Sequence, residues 1–186
     1  MTSPKDALRL IILDRDGVIN EDSPDYVKSP DEWIPLAGSL EAIAALNRAG
    51  FTVTVASNQS GLARGYFDQA ALDAMHTKFQ RLLEDAGGHV DRIDMCPHGP
   101  DAGCDCRKPR PGLINRLIEH YAVNAADVIV VGDSRRDLEA ALAAGARPVL
   151  VRTGNGTKTE ADLDGPLKTT PVFDSLAALA SYIGAL

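Results

Sequence analysis

Cysteine, positive charge and long apolar runs are all scarce in this sequence. Only three cysteines occur among 186 residues, and their odd number and close bunching exclude the disulfide-rich class of secreted proteins. The net charge of −7 excludes general nucleic-acid binding, which needs a dense cationic surface to displace counterions. No apolar run approaches the roughly 18 residues of a membrane span.

We expect no secretory signal in the amino-terminal segment. Its charged residues Lys5, Asp6 and Arg9 precede an apolar run at residues 10–13, which is too short for the core of a signal peptide. We therefore expect a cytoplasmic protein. The length and the ordinary share of hydrophobic residues predict a single domain over residues 1–186.

Apolar runs of strand length alternate with segments that have a helical pattern. Strands are predicted at residues 10–13, 51–56, 128–131 and 148–151, with a weaker one at 90–95. Helices are predicted at residues 39–49, 68–86, 111–121, 136–144 and 175–183. This alternation predicts an α/β fold with a doubly wound, mainly parallel sheet of five to six strands and no separate cap domain.

Two long segments, residues 17–38 and 96–111, do not fit this alternation. Loops of such length within a small domain are usually functional. Both follow predicted strands, so we expect both at the same edge of the sheet.

Polar side chains follow the predicted strands, where open α/β sheets bind their ligands. Asp14 and Asp16 come after the first strand, and Ser57 comes after the second. Lys108 ends the loop that follows the third strand, and Asp133 follows the fourth. Carboxylates of this kind can hold Mg²⁺ or attack phosphorus, and the hydroxyl and ammonium can hold phosphoryl oxygens.

Each of these motifs has an ordinary structural interpretation on its own. Asp-x-Asp-Gly is common in turns, and its glycine comes too early for an EF-hand loop. Ser57-Asn58 could cap a helix, and Gly132-Asp133 could be a turn at the end of a strand. Turns alone do not readily explain why all of them occur at the ends of successive strands.

The four motifs Asp14-x-Asp16-Gly17, Ser57, Lys108 and Gly132-Asp133 resemble those of the haloacid-dehalogenase-like hydrolases, most of which are Mg²⁺-dependent phosphatases. The resemblance implies that Asp14 is the nucleophile and Asp16 the general acid and base. It implies that Mg²⁺ is held by Asp14, the backbone carbonyl of Asp16, and Asp133. Ser57 and Lys108 would steady the phosphoryl group.

Asp137 also matches an acidic position of the fourth motif. We expect it to be a solvated residue in the first turn of a helix rather than a metal ligand.

The cysteines lie in a pattern that favours a structural zinc site. Three thiolates and one imidazole, grouped within eleven positions, form the closed tetrahedral set that zinc prefers. The alternative is three reduced surface cysteines with an unrelated histidine. Zinc would order a loop that has little core of its own and would place Arg107 and Lys108. The four predicted ligands are Cys96, His98, Cys104 and Cys106.

This cysteine loop is followed by Arg107-Lys108-Pro109. Together they resemble the loop of one subgroup of the superfamily, whose members act on one of two substrates. One is D-glycero-D-manno-heptose 1,7-bisphosphate and the other is histidinol phosphate. Segments 57–67 and 106–112 look like the members that act on the heptose. The resemblance implies hydrolysis of the 7-phosphate, giving heptose 1-phosphate for nucleotide-activated heptose.

A bisphosphate also fits the charges, because the guanidinium of Arg107 beside Lys108 can bind phosphate bidentately. We predict that Lys108 serves the reacting phosphate and Arg107 the distal one. Segment 22–26 is either a loop that contacts the sugar or a solvated loop. Besides Arg107 and Lys108, the predicted substrate contacts are Asp22 and Asp25 of this segment and Ser57, Asn58, Gln59 and Ser60.

Three alternatives remain open: a histidinol-phosphate phosphatase, a phospho-accepting signalling module and a zinc-stabilised binding module. Asp16 argues against the signalling module, because a second carboxylate would hydrolyse the aspartyl-phosphate. A binding module would not need Asp14 and Asp133. We expect a monomer that acts on a small phosphorylated sugar and has no nucleic-acid or membrane partner.

Overall fold

The computed structural model describes residues 9–184, so most of the amino-terminal segment examined for a signal lies outside it. None of the helices in this range is long and apolar enough to cross a membrane. The strands are β1 (Arg9–Leu13), β2 (Phe51–Asn58), β3 (Arg92–Cys96), β4 (Ile129–Gly132), β5 (Arg147–Val151) and β6 (Val172–Phe173). The α-helices are α1 (Ser39–Arg48), α2 (Gln69–Asp85), α3 (Gly112–Tyr121), α4 (Arg135–Ala143), α5 (Gly156–Ala161) and α6 (Leu176–Gly184).

All six strands form one parallel sheet in the order β3-β2-β1-β4-β5-β6. This confirms the predicted doubly wound fold, and the described residues include no inserted cap domain. The strand order reverses between β1 and β4, which is where such sheets open a ligand crevice. The sequence pattern missed α5 and β6, because six and two residues are too few to show a periodicity.

The apolar runs are explained by burial on both faces of the sheet. Ile11 and Leu13 of β1 belong to a core cluster with α1, α2 and α6. Leu10 and Ile12 alternate with them and join a second cluster with α3 and α4. A parallel strand covered by helices on both sides has no polar face, so the predicted strands read as unbroken runs.

The long loop at residues 17–38 is anchored on α2. Trp33 is fully buried, and its ring lies 5.3 Å from that of Phe79. Lys78 Nζ donates hydrogen bonds to the carbonyls of Pro30 at 2.6 Å and Trp33 at 2.8 Å. The loop is therefore held by the core even though it contains no helix or strand.

We predict that Trp33→Ala lowers the free energy of unfolding by about 3–5 kcal/mol, because a large buried ring is replaced by a cavity. Urea denaturation measures this directly. The matched control is Ile34→Ala at the neighbouring position, where the side chain is 48% exposed and the expected cost is below about 1 kcal/mol. Similar costs for the two variants would show that the loop is not anchored through Trp33.

The stability of the protein should also depend on His76 of α2. Burial, and then the charge of Arg15, lower the pKa of His76 to about 4, against the opposing charges of Asp73 and Asp16. The folded protein therefore holds His76 neutral, whereas the unfolded chain protonates it below its ordinary pKa of 6.5. The stability due to this group is complete above that value and is lost as the pH falls towards 4.

We therefore predict that His76→Gln reduces the loss of unfolding free energy between about pH 7 and about pH 5, because glutamine does not titrate. Urea midpoints of the two proteins at several pH values measure the difference. Parallel pH profiles for wild type and variant would contradict the prediction.

Candidate active site

Most of the predicted site residues line a cleft of about 210 Å³ at the carboxyl ends of β1 and β4, whereas Ser57 and Asp133 are buried and are not among its lining residues. Its walls come from the turn after β1, the 17–38 loop, the end of β2, the loop after β3 and the first turn of α4. This places both long loops at the same edge of the sheet, as the sequence predicts. The predicted site residues among its lining are Asp14, Asp16, Asp22, Asn58, Gln59, Ser60, Arg107 and Lys108.

Lys108 contacts residues from three different segments of the site. Its ammonium lies 2.9 Å from Asp14 Oδ1 and 2.6 Å from Asp137 Oδ1, and it donates to the carbonyl of Ala56 at 2.8 Å. The ammonium thus has two ion-pair contacts and one hydrogen bond to a backbone carbonyl. Burial alone would lower the pKa of Lys108, but the charges of Asp137 and Asp14 outweigh it and raise that pKa. The lysine stays protonated and fixes the position of Asp14.

Three buried carboxylates, Asp14, Asp133 and Asp137, have oxygens within 4.8 Å of one another. Burial, followed by the charge of Asp137, raises the pKa of Asp14 to about 8, although Lys108 opposes the rise. The same two causes raise the pKa of Asp133 to about 6. When all three carboxylates are ionised, one ammonium leaves a surplus of two negative charges, and this repulsion contributes to the raised pKa values of Asp14 and Asp133. A hard divalent cation such as Mg²⁺ fits both this charge and these oxygen donors.

Two glycines form the slot that holds Asp133. A Cβ atom on Gly17 or on Gly154 would lie 2.2 Å from Asp133 Oδ2, and both glycines have positive φ. Asn155 donates its backbone N–H to the same oxygen at 2.7 Å. Sequence reasoning missed Asn155, which belongs to the segment just after β5. Its place beyond a strand end is the signal that could have found it.

The prediction that Asp137 is a solvated helix residue is wrong. Its side chain is 1% exposed. One oxygen lies against Lys108, and the other accepts hydrogen bonds from the backbone N–H and the hydroxyl of Ser134 at 3.0 and 2.5 Å. Since both oxygens are engaged, Asp137 caps α4 and orients Lys108.

The guanidinium of Arg15 donates hydrogen bonds to both carboxylate oxygens of Asp16. The distances from Arg15 Nη2 to the two carboxylate oxygens are 2.9 and 3.0 Å, and Asn20 and Gln59 donate further hydrogen bonds at 2.8 and 2.9 Å. Burial would raise the pKa of Asp16, but the charge of Arg15 and these hydrogen bonds outweigh it and lower that pKa. Asp16 therefore rests as a carboxylate, the form that can activate water.

Ser57 and Asn58 are the last two residues of β2, whereas the sequence places them just beyond it. Their pairing with Met95 and Cys96 of β3 extends the strand. The alternative interpretation of Ser57-Asn58 as a helix cap is wrong, because α2 begins at residue 69 and is capped by Asp68. The Asn58 amide instead exchanges two hydrogen bonds of 3.0 Å with the backbone of Lys108.

The outer part of the cleft carries charges of both signs. Asp22 lines it and accepts a hydrogen bond from Asn155 at 3.0 Å, whereas Asp25 is exposed and is not among the lining residues. Arg107 lines the cleft and donates to the carbonyl of His98 at 3.2 Å. Arg136 lines it too. Sequence reasoning missed Arg136, because it lies in a helical pattern and not at the end of a strand.

The predicted zinc ligands also come together. Cys96 Sγ lies 3.7 Å from Cys104 Sγ and 3.5 Å from His98 Nδ1, which is 3.3 Å from Cys106 Sγ. Tetrahedral zinc with ordinary bond lengths places two sulfurs about 3.8 Å apart, and a sulfur and a nitrogen about 3.5 Å apart. Burial raises the pKa of Cys96 to about 12, so its thiolate needs a cation nearby. The cluster therefore fits zinc in both spacing and chemistry.

Comparison with known proteins gives consistent matches. The HAD-hydrolase-like family model matches residues 105–179. The D-glycero-beta-D-manno-heptose-1,7-bisphosphate 7-phosphatase of Pseudomonas aeruginosa is 57% identical over 175 residues, which are 94% of this chain and 97% of that protein.

Two solved structures are similar over nearly the whole chain. The crystal structure of the D,D-heptose 1,7-bisphosphate phosphatase from B. bronchiseptica, complexed with magnesium and phosphate, has a TM-score of 0.91 and 58% identity. The match covers 95% of this chain and 98% of that one. The corresponding phosphatase from Burkholderia thailandensis has a TM-score of 0.74 and 45% identity, over 94% of this chain and 97% of the other.

We predict that Cys106→Ser lowers the zinc content of the purified protein from about one ion per chain to near zero, because it removes one of four ligands. Elemental analysis of both proteins measures this. Catalytic rate should fall as well, since Lys108 lies only two residues further along the chain. A variant that keeps one zinc ion per chain would contradict the assignment.

Proposed function

Because the chain belongs to the haloacid-dehalogenase-like hydrolases, in the family of the heptose-1,7-bisphosphate 7-phosphatases, we propose that it removes the 7-phosphate of D-glycero-β-D-manno-heptose 1,7-bisphosphate. It is a phosphatase of this family by sequence and by fold. The substrate assignment is supported by sequence identity above 50% to three phosphatases of this name, over nearly the full length of each. The product would be heptose 1-phosphate, which can supply nucleotide-activated heptose.

In the proposed mechanism, Asp14 attacks the phosphorus of the 7-phosphate and the bond to the sugar oxygen breaks. Asp16 takes up a proton when the phosphate binds and gives it to the leaving oxygen, and Asp14 becomes an aspartyl-phosphate. Water then attacks that phosphorus while Asp16 takes its proton, which releases phosphate and restores Asp14. Support comes from Lys108, whose ammonium is 2.9 Å from Asp14 and can follow the charge onto the phosphoryl oxygens.

We propose that Mg²⁺ is held by Asp14, the carbonyl of Asp16, and Asp133. The metal would supply positive charge next to the phosphoryl oxygens. The surplus of two negative charges among the buried groups supports this assignment. So does the magnesium complex of the B. bronchiseptica phosphatase. We propose structural zinc for the cluster of three cysteines and His98.

The distal 1-phosphate is proposed to bind Arg107, together with Arg136. Both line the cleft, as Asn58 and Ser60 do. Guanidinium groups suit a phosphate that is bound without reacting, because they hold it bidentately and do not titrate. Of the two predicted carboxylates in segment 22–26, Asp22 lines the cleft. We propose that it contacts sugar hydroxyls.

We also propose that the protein is a cytoplasmic monomer with a single domain over residues 1–186. Its net charge of −7 supports the absence of nucleic-acid partners, and no membrane partner is proposed. The histidinol-phosphate phosphatase and the receiver-like signalling module are the alternatives that the following experiment separates.

We predict that the wild type releases phosphate from the β-anomer of heptose 1,7-bisphosphate faster than from the α-anomer or from histidinol phosphate. Asp14→Asn should lower turnover by more than about a thousandfold, because it removes the nucleophile. Phosphate release measures both, with circular dichroism to check the fold. The matched control is Asp31→Asn, an exposed carboxylate that should leave turnover unchanged.

Three results would contradict parts of this proposal. Faster turnover of histidinol phosphate would exclude the heptose assignment. A stable phosphoprotein without phosphate release would favour a signalling module. Turnover retained by Asp14→Asn would refute the nucleophile.

A further inference from the structure

We propose that Gln59 is a positioning residue that sets the hydroxyl of Ser57 and the carboxylate of Asp16 in one fixed arrangement. The sequence predicts Gln59 as a substrate contact, and no role in orienting catalytic groups follows from its motif. The inference rests on the roles proposed above for Ser57 and Asp16. It adds the residue that joins them.

The amide of Gln59 contacts three residues of the site at once. Its Nε2 donates to Ser57 Oγ at 2.8 Å and to Asp16 Oδ2 at 2.9 Å. Its Oε1 accepts a hydrogen bond from Arg15 Nη2 at 3.2 Å. The residue is 3% exposed, so water does not compete well for these partners. Both amide hydrogens are used within the protein.

The contact with Ser57 fixes the direction of the serine proton. Ser57 Oγ accepts a hydrogen bond from Gln59, and the residue is only 1% exposed. A hydroxyl has a single hydrogen to donate, and an amide hydrogen now occupies one of its acceptor sites. The serine hydrogen is therefore left to donate to a phosphoryl oxygen bound beside Asp14, where negative charge builds up.

The contact with Asp16 fixes the orientation of the carboxylate. Gln59 holds one oxygen, Asn20 holds the other at 2.8 Å, and Arg15 spans both. One planar amide thus connects the group proposed to serve the leaving oxygen with the group proposed to hold the transferring phosphoryl.

The backbone of Gln59 is fixed as well, because its N–H donates to the carbonyl of Cys96 at 2.7 Å. Cys96 is the first residue of the cysteine cluster. The backbone that carries the amide is therefore tied to the end of β3, where the cysteine loop begins.

A positioning role and a direct substrate contact predict different kinetics. A side chain that only binds substrate changes KM when it is removed. Gln59 has no free amide hydrogen to offer, so its removal should lower the rate of leaving-group release and leave KM nearly unchanged. The loss should be large only when the leaving oxygen needs a proton, as a sugar alkoxide does and 4-nitrophenolate does not.

The test compares Gln59→Leu and Gln59→Glu with the wild type in single-turnover release of the leaving group. The glutamate variant keeps the shape of the side chain but replaces the donating nitrogen with an oxygen, which also places a second carboxylate beside Asp16, whereas the leucine variant removes the donors without adding charge. For the heptose bisphosphate we expect a loss of about tenfold to a hundredfold, because misplaced groups lose much of general acid catalysis. For 4-nitrophenyl phosphate we expect a loss below about tenfold, from Ser57 alone.

The contact between Gln59 and Ser57 is tested by making Gln59→Leu in a Ser57→Ala background. Because the serine hydroxyl is then already absent, Gln59→Leu should cause no further loss of rate on 4-nitrophenyl phosphate. Gln69→Leu is the matched control, an exposed glutamine of α2 whose amide contacts only Asp73 at 2.7 Å in the described part of the chain. It should keep both rates. Thermal unfolding of each variant checks the fold.

Three outcomes would overturn the inference: unchanged rates in both Gln59 variants, equal losses on the two substrates, or a change in KM alone. The last would restore Gln59 as a substrate contact. If the wild type turned over no phosphate ester at all, the proposed function itself would be refuted, and that failure is distinct from any of these.

Discussion

The buried ammonium of Lys108 is the constraint on which the site depends. An ion taken out of water loses several kcal/mol of hydration, and only complete pairing makes that tolerable. The three partners come from the end of β1, the middle of β2 and the first turn of α4, and the lysine itself comes from the loop after β3. Four segments must therefore be in place before Lys108 can be buried. The same contacts that permit its burial fix Asp14, so the stability of this region and the geometry of the nucleophile have one cause.

The remaining charge explains why the site suits a metal and an anion together. Asp14 and Asp133 have raised pKa values because their burial and the nearby Asp137 leave negative charge uncompensated. A divalent cation would remove that excess, and a bound phosphate would then contact that cation as well as the arginines that line the cleft. Glycines at positions 17 and 154 let the backbone approach Asp133 closely enough to hold it there.

How much of this the sequence predicts depends on whether a feature is local. The strand runs, the motifs at their ends and the cysteine spacing are local patterns, and the structure brings those residues together as expected. Asp137 was misjudged because its burial comes from Lys108, which is 29 positions away in the sequence and invisible to a helical pattern. Asn155 and Arg136 are not predicted for a different reason, because neither belongs to a recognisable motif. The end of β2 was misplaced because pairing with β3, and not residue preference, decides where the strand stops.

The two long loops, rather than a separate cap domain, supply the outer walls of the cleft. Both are anchored to the rest of the described structure. The 17–38 loop is tied to α2 through Trp33 and Lys78, and the loop after β3 is tied by its cysteine cluster and by Arg110, which donates to the carbonyls of Gly103 and Cys104. Because these contacts fix the walls, the basic side chains that line the cleft are in place before a substrate binds. Lys108 is already paired with Asp14 and Asp137, whereas the guanidinium of Arg107 donates to a backbone carbonyl. Arg107 can therefore take a second phosphate that a monophosphate does not supply, and this supports the proposed bisphosphate substrate.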